Sequence, residues 1–100
     1  MEIEEVRNVL KLVCPNDKID IPLRAWESDR CNVWYGKYRL GFICKCRKTG
    51  RLSLTLFCKA PADIFYVEVY SIFNKVFDLD LNELPSVNWD YHVFILSYRN

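Results

Sequence analysis

"KYRLGFICKCRKTGRLSLTLFCK", residues 37–59, decides the fold. Two runs rich in aliphatic, aromatic and basic residues flank Lys48-Thr49-Gly50, the composition of two β-strands joined by a tight turn. Gly50 can take the positive φ of a three-residue hairpin loop, so 38–47 and 51–59 are expected to pair as a central hairpin spanning 38–59. Setting Arg47 opposite Arg51 fixes the register. Tyr38, Leu40, Phe42, Cys44 and Cys46 then share a face with Leu52, Leu54, Leu56 and Cys58, and that face should enter the core. The opposite face carries Arg39, Gly41, Ile43, Lys45 and Arg47 beside Arg51, Ser53, Thr55, Phe57 and Lys59.

Working outward, "NVWY" at 32–35 has the content of a strand, and Gly36-Lys37 turns it into the hairpin. Ile3, Val6, Val9, Leu10 and Val13 recur at helical spacing up to Pro15, which predicts an amphipathic helix over about 2–13. Ile19, Ile21 and Leu23 alternate between prolines as a brief edge strand, and "PLRAWESD" at 22–29 has room for one helical turn. Beyond the hairpin, Pro61 and Asp63 open a second helix, about 61–77, with an apolar stripe of Phe65, Val69, Ile72, Phe73 and Val76. A strand over 64–72 is its rival, because "FYVEVYSIF" is β-rich. "DLDLNELPSVNWD" reads as a loop or short turn before Pro85, and "YHVFILSY" at 91–98 as a strand central in the sheet. The expected fold is α+β: a single small domain over 1–100, with an antiparallel sheet of three to five strands packed by the two helices.

One hundred residues, 51% of them hydrophobic, suffice for one buried core. The first residues are acidic and interrupted by Arg7 and Lys11, unlike a secretory leader, and no apolar run approaches a membrane span. A cytoplasmic protein with no membrane association is the expectation. Five cysteines, an odd number without framework-like spacing, suit reduced thiols.

The net charge of +1 conceals a segregation along the chain. Residues 30–59 carry eight bases and no acid, while 1–29 hold seven acids against four bases and 60–100 hold six against two. Such asymmetry bears on partners and says nothing of the fold.

Catalytic and metal chemistry finds little support. In the expected register Cys44, Cys46 and Cys58 are spread along the hairpin, so with Cys31 they do not converge as a tetrahedral zinc site requires. They are expected to pack as small hydrophobes, and no metal or cofactor is expected. "DLDLNE" at 78–83 opens like a calcium loop, but Glu83 stands where Gly is needed and Trp89 where Glu is needed. His92, the one histidine, has Cys46 or Cys58 as a conceivable nucleophile without any local signature. No glycine-rich loop is present to cradle phosphates.

The expected function is therefore non-enzymatic. A small intracellular protein would occupy a macromolecular partner, in the manner of viral, phage or toxin-immunity inhibitors, through the basic hairpin face. Trp34, Tyr35 and Phe57 are the candidate anchors, with Arg39, Lys45, Arg47, Lys48, Arg51 and Lys59 meeting an acidic or nucleic-acid-mimicking protein surface. The alternative is direct nucleic-acid binding through the same residues, with phosphates on the bases and rings stacked on the aromatics.

Overall fold

The hairpin forms one residue away from the expected register. In the computed structural model, which describes residues 1–15, 18–22, 29–82 and 90–99, strand β3 (Tyr38–Lys45) pairs antiparallel with β4 (Leu52–Phe57). Cys44 lies opposite Ser53 and Gly41 opposite Leu56. The connecting loop has four residues, 47–50, because Gly50 N–H donates to Cys46 O at 2.7 Å and Cys46 N–H to Arg51 O at 2.9 Å. Gly50 has the positive φ expected of it, 72°. The pairing of Arg47 with Arg51 is thereby replaced by that of Cys46 with Arg51.

A one-residue slip exchanges the faces of a strand, and here a bulge restricts the exchange to half of β3. Strand β2 (Arg30–Tyr35) pairs with β3 through Val33 opposite Gly41 and Trp34 opposite Arg39, leaving Leu40 without a partner. Before the bulge, Tyr38 and Leu40 face the core as expected. After it the phase reverses, so Ile43 is fully buried while Phe42 and Cys44 lie on the other face, half-buried. Gly41 sits at the reversal, where a Cβ would stand 1.8 Å from the carbonyl oxygen of Thr55. No side chain fits there.

Among the described residues the sheet has six antiparallel strands, more than the three to five expected, in the order β1 (Ile19–Asp20), β2, β3, β4, β6 (Tyr91–Tyr98) and β5 (Phe77–Leu81). Both border strands are short: β1 is the brief edge strand that the alternation from Ile19 predicts, and β5 is the added one, falling where the sequence reads as the end of a helix and a loop. "FDLDL" alternates at period two, Phe77 and Leu79 toward the core and Asp78 and Asp80 away, and pairs with β6 (Tyr91–Tyr98). The interior place of β6 agrees with its low charge. The expected turn within 22–29, and Glu83, Pro85 and Trp89, lie outside the described residues.

Both helices cover one face of the sheet. Helix α1 (Ile3–Val13) is capped by the Glu5 carboxylate, which accepts the Glu2 N–H at 3.2 Å, and buries Ile3, Val6 and Leu10. It stops at Cys14, before Pro15. The second helical segment opens as a 3-10 turn, Ala62–Phe65, and continues as α2 (Tyr66–Asn74), which settles 64–72 as helical. It ends earlier than expected: Lys75 and Val76 donate to Ile72 O and Phe73 O, tightening the chain into β5. Val69, Ile72 and Phe73 meet Val33, Ile43, Leu54, Leu56, Phe77, Phe94 and Leu96 in one buried cluster. Each large apolar side chain buried there contributes about 1.5–3 kcal/mol.

Candidate partner-binding face

The sheet face turned away from the helices assembles a compact group of rings and guanidinium groups. By register, Arg30, Asn32 and Trp34 of β2 lie beside Cys44, Phe42 and Arg39 of β3, and Phe42 lies opposite Thr55 of β4. The Arg30 guanidinium stands 4.3 Å from the Phe42 ring centre, and that of Arg39 stands 5.1 Å from Phe57 and 5.8 Å from Phe42. Phe42 and Phe57 meet edge to face at 6.1 Å. Arg39 Nε donates to Asn32 Oδ1 at 2.9 Å, which fixes the plane of its guanidinium. Among the described residues neither arginine has a carboxylate at ion-pair distance. Their positive charges are held in place by ring faces and remain available to an anion.

The residues expected to bind a partner divide between two faces and the hairpin tip. Arg39 and Phe57 are brought together, Trp34 sits opposite Arg39, and Lys59 borders a cavity beside Phe57. Lys45 does not join them. The bulge turns it toward the helices, where its ammonium pairs with the Glu2 carboxylate. Tyr35 is also on the helix side: its hydroxyl donates to Glu68 Oε1 at 2.8 Å, and its ring lies 5.0 Å from that of Phe65. Arg47 pairs with Asp29, Nε to Oδ2 at 2.5 Å, while Lys48 and Arg51 are exposed at the hairpin tip. The eight bases of 30–59 thus form no continuous track.

Arg30, Phe42 and Tyr91 belong to this face and were not expected there. Gly41 carried the missing signal, since a glycine inside a strand marks a bulge or a close backbone approach.

The cysteines likewise depart from a shared core location. Only Cys31 is buried; Cys44 and Cys58 are half-buried, and Cys46 is exposed at the turn. Hydrogen bonds from the Thr49 side chain and from the Thr49 and Lys48 backbone hold the Cys46 thiol below its ordinary value, whereas burial pushes Cys44 up. Among the described residues no group of three Cys, His, Asp or Glu side chains converges.

No family model matches the chain, and comparison with curated sequences and with solved structures also returns no match. Among the described residues, no helix is long and apolar enough to cross a membrane.

A second constellation lies on the helix side of β6. His92 Nδ1 is 2.7 Å from the Tyr66 hydroxyl and 3.4 Å from Cys58 Sγ. Burial pushes the Cys58 thiol up, and the Asp90 charge adds to it; burial also raises Tyr66 to about 12. A thiol shifted in this direction is the reverse of an activated nucleophile, which needs a depressed pKa.

Proposed function

We propose that this protein is a non-enzymatic binding protein that acts by occupying a protein partner, docking through the outer face of its sheet. One observation carries the reading: Arg30 and Arg39 stack on Phe42 and Phe57 on the interior strands β2, β3 and β4, on the face that neither described helix covers. Aromatic and arginine side chains gathered centrally are the residue types that dominate protein–protein hot spots. Stacking also orders the guanidinium groups before docking, which lowers the entropic cost of immobilising them. An anionic surface on the partner complements them, and inhibition by occupation needs no further chemistry.

The same face speaks less for nucleic acid. Lys45 and Arg47 are engaged by Glu2 and Asp29, and Asp20, Asp78 and Asp80 project on the outer side at the two edges of the sheet. A phosphate backbone crossing the sheet would meet carboxylates at both edges, and counterion release depends on the number of phosphates neutralised.

The test compares wild type with Arg30→Glu and Phe42→Ala as immobilised baits in nuclease-treated and untreated lysate. A protein retained by the wild type after nuclease and lost from both variants is the expected result. Retention that disappears with nuclease, or that both well-folded variants keep, overturns the reading.

A further inference from the structure

Beside the arginine–phenylalanine group lies a cavity of about 260 Å³, lined by Arg39, Phe57, Lys59, Ala60, Pro61, Ala62, Asp90 and Tyr91. Its construction follows from the register. Phe57 and Tyr91 are partners across β4 and β6, so both side chains rise from the outer face. Immediately after β4 the chain runs through Lys59, Ala60 and Pro61 into the 3-10 turn, and the small residues of this crossing form the opposite wall. Phe57 is shared with the stacked group, so the cavity is continuous with the proposed docking face.

We propose that this cavity receives a carboxylate-bearing anchor residue from the protein partner, an inference that rests on the docking role of the face. Size comes first: the cavity lies below the roughly 300–1,000 Å³ of sites that enclose a whole small molecule, and suits one side chain of a larger ligand. Polarity comes second. Rings, proline and alanine offer an apolar bed for a hydrocarbon stem, while the Arg39 guanidinium and Lys59 ammonium offer donors for an anionic head. Among the described residues, the Arg39 side chain donates one hydrogen bond, from Nε to Asn32, and no carboxylate pairs with Lys59.

Charge balance then selects among anions. Among the described residues of the lining, two cations and Asp90 sum to one net positive charge. A carboxylate neutralises it. A phosphate monoester, carrying about −1.5 to −2 at neutral pH, overshoots it and is repelled by Asp90 at close range.

The experiment is an NMR titration of the full chain with three peptides: acetyl-Phe-Glu-Phe-amide, its Gln counterpart and its phosphoserine counterpart. The Glu peptide is expected to give saturable shifts at the amides of Lys59, Ala60, Ala62 and Tyr91, severalfold more tightly than either counterpart. Lys59→Gln, a change at an exposed residue, should weaken it severalfold while the rest of the spectrum stays in place. Equal binding of the Gln peptide, tighter binding of the phosphoserine peptide, or no saturable shift in the millimolar range overturns the inference. Arg30 and Phe42 are not among the residues lining the cavity. If the peptides fail while Arg30→Glu and Phe42→Ala still abolish capture, the docking face stands and the carboxylate site alone falls.

Discussion

Gly41 lies so close to the carbonyl of Thr55 that a Cβ on it would stand 1.8 Å from the oxygen. The obstacle is backbone, which cannot swing aside as a side-chain end can. Gly41→Ala should therefore destabilise the fold by about 3 kcal/mol through overpacking, with loss of the bulge as the means of relief. Urea unfolding measures it; a change near zero would show that β3 and β4 separate freely at this point.

Adjacent residues of β3 should respond unequally to truncation. Ile43 is fully buried, so Ile43→Ala is expected to cost about 2–5 kcal/mol. Phe42, half-buried on the outer face, loses its ring contacts with Arg30, Arg39 and Phe57, and Phe42→Ala should cost about 1–2 kcal/mol. The reverse order, measured by denaturant midpoint, would restore the register in which Phe42 faces the core.

Thiol alkylation of the folded protein should begin at Cys46 and end at Cys31. Cys46 is exposed and its thiolate is favoured by Thr49, while Cys31 is buried in the core. Reactivity follows thiolate fraction and access. Thr49→Ala should slow Cys46 with little effect on the other four, as mass spectrometry of timed samples will show. Fast labelling of Cys58 would instead reopen a nucleophilic role beside His92.

Two hydrogen-bonding tyrosines set opposite limits on the pH range of stability. The Tyr98 hydroxyl donates to Glu5 Oε2 at 2.6 Å and holds that carboxyl below its ordinary 4.5. A depressed carboxyl stabilises the fold above its unfolded pKa, and the contribution is lost as pH falls through the folded value. Tyr98→Phe should lower stability above pH 4.5 and converge with wild type in stronger acid. Tyr66, raised by burial from 10.0 to about 12, acts at the other end. Its contribution is complete below 10.0 and disappears as pH rises toward about 12, so Tyr66→Phe should flatten the alkaline limb of the stability profile.

Periodicity carried much of the architecture. The α1 stripe ending before Pro15, the Pro61-led start of the second helix and the low-charge strand at 91–98 stand where their patterns put them. What period alone could not carry was phase. A strand pattern gives two candidate faces, and the choice between them rested on whether the turn held three residues or four. The bulge at Leu40 then made both answers correct for different parts of β3, which explains why Tyr38 and Leu40 were placed well and Phe42 and Cys44 were not. Of the candidate binding residues, Arg39 and Phe57 were legible because Arg39 precedes the bulge, so the slip leaves the two on one face. Arg30 and Phe42 needed the cross-strand neighbours that only a folded sheet supplies.

β5 alternates apolar residues with acids at the border of the sheet, and Asp78 and Asp80 stand on the side that carries the stacked arginines. Two copies approaching border to border through antiparallel β5 strands would bring aspartates of the same charge into register, and like charges directly opposite repel. A protein that displays rings on the broad side of its sheet runs a risk of polymerising with itself. Asp80, and Asp78 to the extent that Arg99 beside it leaves its charge unbalanced, would discourage strand-to-strand growth without covering the aromatic patch.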